Sequence, residues 1–156
     1  DDVRRLYAEH DRMLLAYAAP LLGDAAAAED VLHQVFLRLL RGDLAITGTP
    51  AAYLCRAVRN AAFNVRRGWS REVVFEGAEV WLEAPPGQHD TARAVQQALG
   101  QVPCEQREVV VLHVWGQLTF AQIGEAMDIS PNTAASRYRY GLARLREILK
   151  PLGEGE

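Results

Sequence analysis

The residues best equipped for chemistry in this chain are arginines gathered on two short stretches. Between positions 50 and 71 stand Arg56, Arg59, Arg66, Arg67 and Arg71 with no acid among them. Between 130 and 150 stand Arg137, Arg139, Arg144, Arg146 and Lys150 against the single acid Glu147. Guanidinium groups clustered in this way neutralise phosphates and release the counterions that a polyanion condenses. Phe63 lies inside the first cluster, and an aromatic face among arginines is suited to stacking on an unpaired base. Asn132, Thr133 and Ser136 open the second, and short polar groups of this kind approach base edges in a duplex groove. The net charge conceals both clusters. The 156 residues carry 17 Lys+Arg and 20 Asp+Glu, for a formal charge of −3. The offset is local, because residues 72–92 hold Glu72, Glu76, Glu79, Glu83 and Asp90 with no base. Exposed charges act over about a Debye length, roughly 8–10 Å, so the zoning outweighs the total.

Other chemistries find no support in the sequence. It has no Gly-rich phosphate loop, no HExxH and no GxSxG, so no catalytic activity is expected. Cys55 and Cys104 belong to no CxxC or Cys/His cluster and are expected to be reduced thiols of a cytoplasmic protein. His10, His33, His89 and His113 stand apart from one another and from the cysteines in any ligand spacing. Neither a metal nor a cofactor is expected. The pair Glu29 and Asp30 opens an amphipathic helix, where acids complement the macrodipole. The longest apolar run, 13–22, has ten residues and contains Pro20. A bilayer span needs ~20, so no membrane insertion is expected.

The elements that must position these groups are helical throughout, since no strand-like alternation persists. The spacing predicts helices over 3–22, closed by Gly23, and over 24–41, stopping at Gly42. The second carries Val31, Leu32, Val35, Phe36, Leu39 and Leu40 on one stripe. A loop rich in Gly and Thr leads to a third helix over about 51–67. Residues 68–90 break the pattern with Gly68, Gly77, Pro85, Pro86 and Gly87. Further helices are expected over 91–101, 104–115, 120–127 and 131–149. Thr119 with Gln122 forms a capping box, and Ser130 before Pro131 is an N-cap with proline at the first helical position. The expected fold class is all-α, with two small helical domains. A three-helix lobe over 1–68 and a helix–turn–helix lobe over 93–150 are joined by an acidic flexible linker over 69–92.

On a helical wheel, Tyr53, Leu54, Ala57, Val58, Ala61 and Val65 share one arc of the third helix. Arg56, Arg59, Asn60, Phe63, Arg66 and Arg67 share the other, with Phe63 near its centre. An acid-free arginine face gains nothing from intrahelical ion pairs and repels itself. That favours a single-stranded nucleic-acid face over a merely solvated one. In the last helix Ala134, Tyr138, Gly141, Leu142, Leu145 and Ile148 form the buried arc. Asn132, Thr133, Ser136, Arg139, Tyr140 and Ala143 face outward, with Arg137 and Arg144 on the flank. This is the layout of a groove-reading helix–turn–helix, although on pattern alone a helical hairpin with a basic face stays open.

Two blocks of sequence resemble the extracytoplasmic-function group of bacterial RNA polymerase sigma factors, of the sigma-70 family. The first runs over 6–67 and includes Ala28-Glu29-Asp30-Val31-Leu32-His33-Gln34-Val35-Phe36-Leu37-Arg38, Ala52-Tyr53-Leu54 and Arg59-Asn60. The second runs over 98–149 and includes Val102-Pro103, Gln106-Arg107-Glu108-Val109, Leu118-Thr119-Phe120-Ala121-Gln122-Ile123-Gly124, Ile129-Ser130, Thr133 and Ser136-Arg137. The resemblance implies a factor that binds core RNA polymerase and directs promoter recognition, melting and initiation. The second helix would dock on the polymerase through Asp30, His33, Gln34 and Arg38. The third helix and the Gly/Thr loop before it would hold the melted non-template strand of the minus-ten element. The helix–turn–helix would bind the minus-thirty-five element as duplex DNA. The acidic linker would thread the polymerase interior, and an anti-sigma factor is a further candidate partner. Three places depart from the family's pattern. His33 and Gln34 stand where Gln and then Asp or Glu are usual. Asn132, Ala134 and Ala135 replace Gly, Val and Lys, and Asn64 replaces a frequent Asp. Two other classes stay open on the residues alone: a stand-alone helix–turn–helix regulator, and an adaptor that holds polymerase or sigma without reading DNA.

Overall fold

The computed structural model describes residues 2–69 and 89–154, and within them seven helices and no strand. Helices α1 (Asp2–Leu22), α2 (Ala25–Leu40) and α3 (Pro50–Arg67) make the first lobe. Helices α4 (His89–Leu99), α5 (Cys104–Val114), α6 (Phe120–Met127) and α7 (Pro131–Glu154) make the second. The all-helical, two-lobed architecture is the one the apolar spacing predicts, with boundaries shifted by a residue or two at most helix ends. The larger shifts lie in α4, which begins at His89, inside the stretch expected to be linker, and in α7, which runs past position 149. Most of the acidic linker expected over 69–92, with Arg71, lies outside the described residues.

Local chemistry sets the boundaries. Asp24 caps α2 by accepting the Ala26 N–H at 3.0 Å, which satisfies one of the donors a helix start leaves unbonded. Pro50 sits in the first turn of α3, where a missing N–H costs nothing. Each lobe buries an apolar face: Leu14, Tyr17 and Leu21 of α1 meet Val31, Leu32 and Val35 of α2 and Leu54 and Val58 of α3. Val109, Val110 and Leu112 of α5 pack with Ile123 of α6 and Ala134 and Leu145 of α7. The two cores are contiguous rather than separate, because α1 also packs on α5 and α3 on α6.

The stripe expected on α2 is buried except at its end. Leu40 is 54% exposed, and Leu37 beside it is 47% exposed. Leu39 of the same turn is buried, so the last turn of α2 divides its leucines between the core and a surface that the described residues leave open.

Candidate nucleic-acid interface

The second basic cluster is built on a tight turn between two helices. Thr119 Oγ1 accepts the Gln122 N–H at 3.1 Å, and Gln122 Oε1 accepts the Thr119 N–H at 2.9 Å, so the expected capping box closes. At the other end of α6, Asp128 takes the left-handed conformation at φ 59°, one that Asp tolerates better than most residues. The chain then turns so sharply that a side-chain carbon at Gly124 would stand 2.5 Å from the Ile129 carbonyl oxygen. Ser130 Oγ accepts the Thr133 N–H at 3.1 Å and starts α7. A second close approach, at Gly141, brings α7 against Val110 and Gln106 of α5.

A small aromatic cluster fixes the angle between these helices. The His113 ring stacks on Phe120 at 4.5 Å and meets the edge of Tyr138 at 4.6 Å. His113 Nδ1 lies 2.9 Å from the Leu118 carbonyl. A carbonyl only accepts, so this nitrogen carries the proton. The expected outward face of α7 is open: Asn132, Thr133, Arg139, Tyr140, Ala143 and Arg144 are exposed, Tyr140 by 66%. Ser136 is half-buried and accepts a 3.3 Å hydrogen bond from Arg139. Arg137 is half-buried and lies 3.6 Å from Glu105 of α5.

The first basic cluster is disposed differently. Arg56, Asn60 and Arg67 are exposed on α3, with Arg67 donating to the Asn64 side-chain oxygen. Arg59, Phe63 and Arg66, expected on the same open arc, are half-buried and turn toward the second lobe. The expected apolar arc is likewise displaced by about one position: Ala52, Cys55 and Ala62 are buried, while Tyr53, Ala57, Ala61 and Val65 are only half-buried. The cause is that α3 packs on two sides, against α1 and α2 within its lobe and against α6 across the lobes. A wheel drawn for one buried face has no place for the second.

Arg59 Nε donates to Glu108 Oε1 at 2.7 Å, and Tyr17 Oη donates to the same oxygen at 2.8 Å. Glu108 is 3% exposed, and its Oε2 has no hydrogen-bond partner among the described residues. Burial alone would lower the Arg59 pKa, but the hydrogen bond and charge of Glu108 outweigh it and hold the guanidinium above its usual value. Burial, reinforced by the Glu108 charge, raises the Tyr17 phenol well above its usual range. The guanidiniums of Arg59 and Arg66 lie 4.7 and 5.1 Å from the Phe63 ring centre, within cation–π reach.

On its other side α3 faces α2 across an open hollow of about 470 Å³. Gln34, Arg38, Tyr53, Arg56, Asn60 and Asn64 supply its polar lining, and Leu44 of the connecting loop lies at its wall. Two sets of residues that sequence reasoning kept apart therefore meet: Gln34 and Arg38 of α2 border the same space as Arg56 and Asn60. Asp30, His33, Gln34 and Arg38 all lie exposed on the outer face of α2, with His33 Nε2 3.4 Å from Tyr7 Oη. Sequence reasoning missed Leu37 and Leu40 on this face, Glu108, and Tyr17. No local signal marks them, since each is defined by what another helix does or does not cover. Among the described residues no group of His, Cys, Asp and Glu has a metal-holding arrangement, and no helix is long and apolar enough to cross a membrane.

Comparison with known proteins matches this layout lobe by lobe. The family model for Sigma-70 region 2 matches residues 6–72, and that for Sigma-70, region 4 matches residues 92–145. The ECF RNA polymerase sigma factor SigL of Mycobacterium tuberculosis is 32% identical over 97% of this chain and 90% of that protein. The RNA polymerase sigma factor CarQ of Myxococcus xanthus is 29% identical over 97% and 91%. Among solved structures, the sigma factor RpoE of Bartonella quintana, in complex with the anti-sigma factor NepR, shares the fold. Its TM-score is 0.78 at 22% identity, over 96% of this chain and 97% of that one. The chain belongs to the extracytoplasmic-function group of sigma-70 factors, the proteins that carry RNA polymerase to promoters for the initiation of transcription.

Proposed function

We propose that the two lobes divide promoter recognition by the form of DNA each meets, the first holding melted strand and the second reading duplex. The observation that carries this is the contrast in surface shape. Helix α7 offers an open convex face with Asn132, Thr133, Ser136, Arg137, Arg139, Tyr140 and Arg144, and a convex helix enters a major groove. Helix α3 instead borders a hollow of about 470 Å³ with arginine and amide groups at its rim, a size range in which a bound planar group loses most of its exposed surface. An extruded base fits there while Arg56 and Arg67 hold flanking phosphates, and Arg59, Asn60, Phe63 and Arg66 complete the surface along the strand. The polymerase would dock on α2 through Asp30, His33, Gln34 and Arg38. The exposed Leu37 and Leu40 supply the apolar contact that a protein partner needs and DNA does not.

In this reading the domains are 1–68 and 93–150, and the acidic segment 69–92 spans between them. The chain works in the cytoplasm, has no reaction of its own, and contributes binding energy alone. An anti-sigma factor would act by covering either DNA surface. The test is run-off transcription with core polymerase on genomic promoters, with and without the chain. Transcripts that depend on the chain support the reading, and duplex binding without any dependence of core polymerase on it would favour a stand-alone regulator. Phe63→Ala should impair binding to a forked promoter more than to a closed duplex. Equal loss on both would assign Phe63 to folding.

A further inference from the structure

Glu108 is the single buried acid among the described residues, and it is buried between the lobes. It stands on α5, yet the two hydrogen bonds its Oε1 receives come from Tyr17 of α1 and Arg59 of α3. A carboxylate withdrawn from water needs such donors, and here both lie in the other lobe. Arg59 is likewise occupied: its Nε is bonded to the carboxylate, and its guanidinium lies over the Phe63 ring. A phosphate arriving at α3 would meet an Arg59 whose Nε is already taken and whose charge Glu108 already offsets, so the two anions compete for it. Two further contacts cover the same region. The Glu125 carboxylate of α6 fills the space a side chain at Gly48 would take, in the loop that leads into α3. Cys104, at the start of α5, is half-buried and interacts with Arg66. Acids of the second lobe thus sit where the first lobe would receive nucleic acid.

We propose that Glu108 is an internal latch: it competes with melted DNA for Arg59, so the chain alone is held closed and its single-strand surface opens only when the lobes part. This rests on the reading of α3 as the melted-strand surface. When the competent state is a minor one, apparent affinity falls in proportion to its population. Releasing the latch therefore raises the affinity of the chain alone without adding a contact. Tyr17 of α1 donates to the same carboxylate oxygen as Arg59 and makes the closed arrangement specific.

The two thiols report opening independently of DNA. Cys55 is fully buried within the first lobe, and burial pushes it up to about 12. Cys104 is raised mainly by burial, so parting the lobes should bring it into reach of an alkylating reagent. The experiment compares the unaltered full chain with Glu108→Gln, which keeps the shape and removes the charge. Iodoacetamide labelling followed by mass spectrometry should show Cys104 reacting several-fold faster in the variant, with Cys55 unchanged. A fluorescein-labelled single-stranded oligonucleotide, copied from the non-template strand of a promoter found by run-off mapping, should bind the variant about tenfold more tightly without polymerase. Unchanged labelling and unchanged affinity would overturn the latch. Should Glu108→Gln fold poorly by circular dichroism, the unaltered chain decides: saturating oligonucleotide should speed Cys104 labelling, and an unaltered rate at saturation overturns the proposal. Faster Cys104 labelling in the variant, with no oligonucleotide bound by either chain, would retain the interlobe lock and overturn the competition for DNA. If no transcript depends on the chain at all, the functional reading has failed independently of the labelling result.

Discussion

Helices α3 and α7 carry similar charge on similar lengths of chain, yet the neighbours that hold them differ. The face of α7 bearing Asn132, Arg139, Tyr140 and Arg144 is open, and the contacts that fix the helix come from its own lobe. Gly141 packs closely against Val110 and Gln106 of α5, Tyr138 joins His113 and Phe120, and Arg137 meets Glu105. The basic arc of α3 is divided. Arg56 and Arg67 face water, while Arg59 reaches a buried carboxylate in the other lobe. A helix with no acid of its own lowers its self-repulsion by finding one elsewhere. In a two-lobed chain that partner can come from the lobe across the interface, and the availability of the surface then depends on how the lobes sit.

The contrast can be broken at the turn that makes α7 independent. Gly124→Ala would drive a methyl group to 2.5 Å from the Ile129 carbonyl oxygen. Backbone on both sides must then move, at a cost of roughly 1–3 kcal/mol typical of overpacked sites. Urea unfolding should show this loss, and binding to a duplex minus-thirty-five probe should fall with it. Retained stability and affinity would mean that the turn is less constrained than the packing indicates.

Salt dependence sharpens the same contrast. Arg139→Ala with Arg144→Ala should reduce the slope of log affinity against log salt by about 2 for the chain alone on duplex DNA, one for each phosphate contact. Arg66→Ala with Arg67→Ala should leave that slope unchanged and reduce the slope for open-complex formation with polymerase instead. A pair from α3 that lowered the duplex slope as much as the pair from α7 would erase the division between the lobes.

Much of this was legible before any coordinates. Helical periodicity gave the helices, and the caps Thr119–Gln122 and Ser130–Pro131 placed α6 and the start of α7 at the residues observed. Each of those signals is local. The outward face of α7 was legible for the same reason, since one lobe buries one side of it. What could not be read was any property set by a second neighbour. Arg59 and Phe63 fall on the polar arc of a wheel, and only the second lobe, with α6 against α3 and Glu108 bonded to Arg59, leaves them half-buried. Leu40 falls on an apolar stripe, yet the fold leaves it more than half exposed at the end of α2. Glu108 sits among Gln106, Arg107 and Val109 like any surface acid, and its burial follows from the approach of α1 and α3.

The smallest expected effect bears on the element that serves both helices. Helix α6 begins the turn that presents α7, and its Glu125 covers the loop before α3. Thr119→Ala removes the oxygen that accepts the Gln122 N–H and should cost about 1 kcal/mol, lowering the melting temperature by about 2–4 °C. Thr119→Ser keeps the acceptor and should restore the loss. Fraying the start of α6 should weaken duplex binding slightly, because the spacing of α6 and α7 loosens. It should also speed Cys104 labelling slightly, because Glu125 is held less firmly over Gly48. If duplex binding falls while Cys104 stays as slow as in the unaltered chain, α6 supports α7 alone, and closure rests on Glu108 without help from Glu125.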